Sequence, residues 1–347
     1  MMTIRGSGAY TLPHNNKLES MEETVKRLLL VAFALAGAHV ASVPAHAQAW
    51  PNKPVRIVNT FAPGGAADFL ARTVAENLSK VFNQQFYVET RSGAAGAIGV
   101  NSVVATPPDG YNFVITNITM LVLSPIANPK LGYHPERDLT NIAYLGGSPV
   151  VLSVNSKSPI KTLDDFVALG KKSGKPLTYS SSGVGSSGHL FGETFGHKVG
   201  IKVEHVPYKG AAQGLLDLVG GHIVWSAQTV TSTAGQMRGG TLRGIALTAK
   251  ERMPDYKDVP TFAELGHPEF ASPIWFSLSA PKGLPDDILG KMNGEINKIM
   301  TRSDIFERMQ REGMVIEAMT PPQLSQLIQT ETKFWRPAIE QAGLMQK

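Results

Sequence analysis

Four times along the chain, a short apolar run gives way to a glycine-rich turn and then to a helical pattern. The first instance is Val55-Arg56-Ile57-Val58, followed by Thr60-Phe61-Ala62-Pro63-Gly64-Gly65-Ala66-Ala67-Asp68 and a helical stretch over 69–78. The second turn runs from Arg91 to Gly99, the third from Ser180 to Gly188, and the fourth from His205 to Ala212. A helix start leaves several backbone N–H groups without intrahelical acceptors, and aligned peptide dipoles add partial positive charge there. Glycines let another group approach that backbone closely, so a strand, a glycine-rich turn and a helix N-terminus form a seat for an anion. In open α/β sheets ligands bind beyond the carboxyl ends of the strands, where such turns lie. One turn of this kind often only redirects the chain. Four in the same phase predict convergence on one anion, with at least one turn serving packing alone.

The apolar periodicity extends this pattern. Strands are expected at Val55–Val58, Phe86–Glu89, Phe113–Ile115, Val150–Val154, Leu177–Ser180, Val203–Val206, Ile223–Ser226, Gly244–Leu247 and Ile274–Ser279. Helices are expected over 68–80, 97–105, 162–172, 188–197, 210–219 and 234–238, and then over 285–302, 303–312 and 321–342. Strand–helix alternation of this length predicts an α/β protein with mostly parallel sheets. Turn-rich stretches near Gly146-Gly147-Ser148-Pro149 and Gly266–Pro273 read as domain seams. If both cross one hinge, residues 48–148 and 271–347 form one lobe and 149–270 the other, with a ligand cleft between them.

The N-terminus sets the expected compartment. Lys26-Arg27 precedes the apolar run Leu28–Ala36, and Ala45-His46-Ala47 offers a small-x-small cleavage site. This is the pattern of a bacterial secretory signal peptide, with the mature chain starting at Gln48. The run is shorter than the roughly 20 apolar residues that span a bilayer. Residues 1–20 lie upstream of a signal of ordinary length and read as an upstream mis-start or an extension. The remaining chain of about 300 residues suffices for two domains. The formal net charge of +5 is spread along the sequence, without basic runs interleaved with aromatics, so nucleic acid is not an expected partner. Cysteine is absent, which removes disulfides, thiol catalysis and Cys-ligated metal.

Several motifs invite other chemistry. Gly183, Gly185 and Gly188 spell G-x-G-x-x-G, with Glu204 ending the next strand, as in dinucleotide-binding units. Such a unit normally begins its domain, whereas other glycine turns precede this one. His189, Glu193 and His197 fall four residues apart, but the two imidazoles diverge by roughly 80° around a helix. Capping or an interdomain hydrogen bond suits His189 better than metal ligation. No G-x-S-x-G elbow occurs, so Ser180-Ser181-Ser182 reads as hydroxyl donors to a ligand or as turn formers. Lys209 fits an anion's charge partner and a solvated lysine equally. Asp68 is simplest as a first-turn acid, and Trp225, Trp275 and Tyr208 as core or hinge residues.

Taken in order, these pieces resemble the tripartite tricarboxylate transporter solute-binding proteins, the Bug family. The matching stretches are Trp50-Pro51-Asn52-Lys53-Pro54-Val55-Arg56, the Pro63-Gly64-Gly65 turn through Asp68 with Ala71-Arg72, and Pro108-Asp109-Gly110-Tyr111. They continue with Ser182-Gly183-Val184-Gly185, His189-Leu190, His205-Val206-Pro207-Tyr208-Lys209-Gly210 and Asp258-Val259-Pro260-Thr261. The resemblance implies a two-lobed, type II-like periplasmic binding protein with two hinge crossovers. It implies closure on a small organic carboxylate (a di- or tricarboxylate, or an aromatic one) that is handed to membrane subunits of a secondary transporter. It also implies two carboxylate pincers. Phe61, Ala66, Ala67 and Asp68 belong to the first and Ala94 and Ala95 to the second, with Thr116 and Asn117 adding polar contacts. Ser182, Gly183, Gly185 and Tyr208 then face the ligand from the second lobe.

Two departures stand out. The family usually reads Gly-Ala-Gly-Gly where this chain has Gly93-Ala94-Ala95-Gly96, so an extra methyl narrows the second pincer. The family also usually carries an Asp where this chain has Val224. If that position faces the cleft, an amine-free ligand is expected, aromatic carboxylates included. The expected protein is a non-catalytic monomer without cofactor or metal. The rivals are an exported α/β enzyme, dehydrogenase-like or hydrolytic, and a ligand-sensing subunit of a membrane kinase using the same cleft.

Overall fold

The computed structural model describes residues 21–29, 50–128, 130–341 and 345. The chain divides into a unit of residues 1–49 and a unit of residues 50–347. In the first, residues 21–29 are helical, with Met21, Val25, Leu28 and Leu29 exposed. Most of the apolar run expected of a signal peptide, its cleavage site and Gln48 lie outside the described residues. No helix among the described residues is long and apolar enough to cross a membrane.

The second unit is built on two five-stranded sheets. The first contains β1 (Val55–Asn59), β2 (Phe86–Thr90), β3 (Asn112–Asn117), β4 (Leu139–Ser148) and β10 (Ile274–Pro281), in the order β2-β1-β3-β10-β4. The second contains β5 (Val150–Asn155), β6 (Leu177–Ser181), β7 (Val203–Pro207), β8 (Trp225–Thr229) and β9 (Leu242–Leu247), in the order β7-β6-β8-β5-β9. The two orders are equivalent, so the lobes repeat one topology. In each, two neighbouring pairs are parallel and two antiparallel, because the strand that crosses from the other lobe enters reversed. The expectation of mostly parallel sheets is corrected accordingly. Helical periodicity announces the crossovers that make parallel pairs, but nothing local announces a strand arriving from the opposite lobe. The chain passes to the second sheet through Ser148-Pro149-Val150 and returns to β10 after β9.

The helices between the strands are α1 (Ala66–Phe82), α2 (Ala97–Val104), α3 (Leu163–Lys172), α4 (Ser187–Val199), α5 (Ala211–Gly220) and α6 (Val230–Arg238), of which α1, α2, α4 and α5 follow the four glycine turns. Three more, α7 (Asp286–Thr301), α8 (Ser303–Arg311) and α9 (Pro321–Gln341), close the chain. In α1, Ala66, Leu70, Ala71, Val74 and Leu78 recur at helical spacing and are buried, and Asn83 ends the helix in the left-handed conformation. Strand β4 is absent from the sequence reading. Its polar start and its Gly146-Gly147 end break the apolar run, and antiparallel pairing with β10 is what holds it extended.

Trp225 anchors the second lobe. Its ring stacks on Tyr179 at 4.5 Å and meets Phe166 edge-on at 5.3 Å, with Phe195 close by. Aromatic pairs of this geometry contribute about 0.5–1.5 kcal/mol each beyond burial. They press α4 against β6 and β8, which fixes where the third glycine turn must lie. Trp275 is likewise buried, in β10 opposite Gly147. Tyr208 hydrogen-bonds Asp217 at the fourth turn instead of entering the core.

Candidate anion cleft

A cavity of ≈ 40 Å³ lies where the lobes meet, room for about three water centres. The first lobe lines it with Phe61, Gly65, Ala66, Ala67, Asn117, Thr119, Ile274 and Phe276. The second contributes Ser182, Ser186, Ser187, Gly188, Ala211, Ala227, Gln228, Thr229 and Ser232. No charged side chain is among them. What faces the space is instead the start of four helices: α1 at Ala66-Ala67, α4 at Ser187-Gly188, α5 at Ala211, and α6 through its cap Thr229 and Ser232. Each turns a positive dipole end toward the space, worth about 0.3–1 kcal/mol toward an anion when exposed and more when buried. Helix α6 offers that dipole alone, because its Val230, Thr231 and Ser232 N–H groups donate to the Pro149 carbonyl and the Ser148 and Thr229 hydroxyls. The lobes also bond directly to each other. Ala62 N–H donates to the Lys209 carbonyl at 3.0 Å, and Ala66 N–H to the Ser232 hydroxyl at 3.0 Å. Ser187 N–H donates to the Thr119 hydroxyl at 3.2 Å, and their hydroxyls lie 2.8 Å apart.

Of the residues assigned from the sequence, Phe61, Ala66, Ala67, Asn117 and Ser182 come together on this cavity. Asp68 turns inward, and its carboxylate accepts from Gly64 N–H, Asn59 Nδ2 and Arg72 Nε at 3.1–3.3 Å. With those donors it braces the first turn from behind. Thr116 is fully buried, its hydroxyl 2.8 Å from those of Ser277 and Ser279. Ala94 and Ala95 take left-handed φ values of 47° and 50°, a conformation that costs a non-glycine residue about 1–2 kcal/mol. Ala95 packs against Gly183 of the third turn, where a Cβ would lie 3.7 Å from the Ala95 nitrogen. None of Ala94, Ala95, Gly183, Gly185 and Tyr208 is among the cavity-lining residues.

Val224 also lies elsewhere. It precedes β8, and Gln228, which does line the cavity, stands four residues further along that strand, about 13 Å away. Val224 is not among the cavity-lining residues and so gives no ground for an amine-free ligand. The sequence reading missed Gln228, Thr229, Ser232, Ile274 and Phe276, because β8, β10 and the α6 start carry no glycine-rich turn. The β8 pattern did contain a cue, since Gln228-Thr229 follows a buried strand and precedes a helix.

His189 caps its own turn. Its Nδ1 accepts from Gly185 N–H at 3.1 Å, and its ring lies 4.1 Å from that of His205. His205 Nε2 contacts the Ser181 hydroxyl at 2.6 Å, and Ser181 also holds Gly183 and Ser186. Burial, with the neighbouring His189 as a smaller cause, lowers the His205 pKa to about 4. Burial also lowers that of His189. Above pH 6.5 both chains, folded and unfolded, carry neutral imidazoles. Between about 6.5 and 4 the unfolded chain gains protons that the folded one refuses, so stability falls as pH falls through that window. Partial exposure reduces the His205 contribution to about 1–2 kcal/mol. Urea denaturation between pH 7.5 and 4.5 should therefore show a steeper loss for the native protein than for His205→Gln.

Residues 70–344 match the tripartite tricarboxylate transporter family receptor. BugT of Bordetella pertussis is 29% identical over 317 residues, covering 91% of this chain and 97% of BugT. Among solved structures, an R. palustris protein with adipate aligns at 29% identity and a TM-score of 0.82, covering 85% of this chain and 98% of its own. MatC from Rhodopseudomonas palustris with bound malate aligns at 28% and 0.79, covering 84% of this chain and 100% of MatC. With the family matched over most of its length and the same two-lobed architecture in its neighbours, the chain belongs to the tripartite tricarboxylate transporter receptor family.

Proposed function

We propose that this protein is a periplasmic receptor that closes on a small organic carboxylate and presents it to the membrane subunits of a tripartite tricarboxylate-type transporter. The observation that carries the reading is the convergence of four helix N-termini on one interlobe cavity with no charged side chain in its wall. Such a site suits an anion held by oriented N–H groups and hydroxyls. Adipate and malate in the related structures agree with that chemistry. In this reading Phe61, Ala66, Ala67, Asn117 and Ser182 touch the ligand. Ala94, Ala95, Gly183 and Gly185 flank its entrance, and Asp68, Thr116 and Tyr208 hold the turns. The segments around Pro149 and residue 271 act as the two hinge crossings, and the signal sequence directs the chain to the periplasm as a monomer.

The hydrolase alternative would seize on the Ser181–His205 contact. That serine is fully buried, and its hydroxyl is engaged by the turn itself. The test is thermal unfolding of dialysed protein against mono-, di- and hydroxycarboxylates of three to eight carbons. A true ligand at 100 times its Kd stabilises by about 2.7 kcal/mol, and NMR of the mixture should show it unconsumed. A panel in which no carboxylate raises the midpoint, or one in which a carboxylate is turned over, overturns the reading.

A further inference from the structure

Gln228 is 4% exposed and lines the cleft cavity from the end of β8. Its Oε1 accepts from the Ser182 hydroxyl at 2.9 Å, which fixes the orientation of the amide. Its Nε2 has no hydrogen-bond partner among the described residues. A buried amide N–H left unmade is costly, and such groups in native proteins call for an explanation. This one belongs to a side chain that lines the cleft cavity. An NH2 group only donates, so whatever satisfies it must be an acceptor.

The remainder of the wall sharpens the choice. Thr119 pairs with Ser187, and Thr229 with Ser232, so those hydroxyls are already engaged. Phe61, Ile274 and Phe276 give the space apolar walls. No carboxylate lines it, so an ammonium group would enter without a counter-charge, which is strongly unfavourable in a buried site. Resting on the carboxylate-receptor reading above, we infer that Gln228 is the specificity residue for the far end of the ligand. The ligand class is a carboxylate with a second oxygen acceptor (carboxylate, keto or hydroxyl) beyond a short carbon skeleton, and ligands with an amine there are rejected. The first carboxylate takes the N-terminus of α1, and the second group receives the Gln228 amide.

The test is calorimetric titration of the full chain with probes that differ only at the distal end. The matched sets are adipate, 6-aminohexanoate and hexanoate, and succinate, β-alanine and propanoate. The native protein should bind the acceptor-ended member of at least one set at least 10-fold more tightly than its amine-ended and methyl-ended counterparts. Gln228→Met should weaken that member about 10–100-fold, the range of a hydrogen bond to a charged group, and leave the methyl-ended probe unchanged. Gln228→Glu should weaken it further and favour the amine-ended probe. Unliganded thermal midpoints of both variants serve as the check on folding. Equal losses for all probes, or no preference for the acceptor end in the native protein, would overturn the Gln228 assignment alone. Failure of every carboxylate, single-ended ones included, would overturn the receptor reading with it.

Discussion

Valine in place of Gly210 is expected to weaken ligand capture by about 100-fold or more while barely moving the unfolding temperature of the unliganded protein. Gly210 precedes α5 in the second lobe, and its backbone is extended, with φ 175°, so any residue can adopt it. A Cβ there would sit 2.9 Å from both the nitrogen and the Cβ of Ala62, which belongs to the first lobe. That is closer than real Cβ contacts come, and the obstacle includes backbone that cannot swing aside. Next to it, Ala62 N–H bonds the Lys209 carbonyl across the cleft. The larger side chain is therefore a wedge between lobes, not a defect within one. Opening relieves it at no cost to either core, whereas closure around a ligand does not. A ligand that favours only the closed state loses affinity in proportion to the population of that state. Calorimetry should show the affinity loss, and the ligand-induced rise in melting temperature should vanish. A variant that binds normally, or one that melts far below the native protein without ligand, would contradict this account of Gly210.

The contrast between Gly210 and Asp68 shows what the sequence could reveal. Strand–turn–helix units were legible because two periodicities switch at each glycine cluster, and the nine expected helices all appear within a few residues of their expected limits. Convergence of the turns was legible in part, since three of the four contribute cavity-lining residues. The turn at Gly93–Gly96 instead packs its Ala95 against Gly183, in line with the expectation that one turn would serve packing. The direction of each side chain was not legible. A first-turn acid such as Asp68 can look outward to a ligand or back at its own turn, and only the positions of Asn59 and Arg72 decide it. Nor was the contribution of β8, β10 and α6, whose residues reach the cleft through a register that two chain crossings between the lobes create.

The G-x-G-x-x-G of the third turn has a physical explanation that needs no dinucleotide. Gly183 and Gly185 have φ values of 123° and 81°, in the region that side chains disfavour, and they steer the chain from β6 into α4. Gly188 has a different task. A Cβ built on it would overlap the carbonyl oxygen of Ala227 in β8 and press on the Ser181 side chain at 3.2 Å. The helix start thus lies directly on the strand, as the last glycine of the fingerprint allows in nucleotide-binding units. That contact holds Ser187 and Gly188 against the cavity, with Gln228 one residue beyond Ala227. Gly188→Ala is accordingly expected to cost about 3 kcal/mol or more, because the nearest obstacle is the β8 backbone at Ala227 and α4 is pinned by the Trp225 cluster. A midpoint decrease of roughly 5–10 °C follows for a chain of this size. Gly235 supplies the comparison. It lies inside α6 with nothing within 4 Å of its Cβ position, so Gly235→Ala should stabilise by about 0.5–1 kcal/mol. Differential scanning calorimetry of the two variants should move in opposite directions. Equal behaviour would mean that α4 can lift from the sheet, and that the glycine spacing is there for the turn alone.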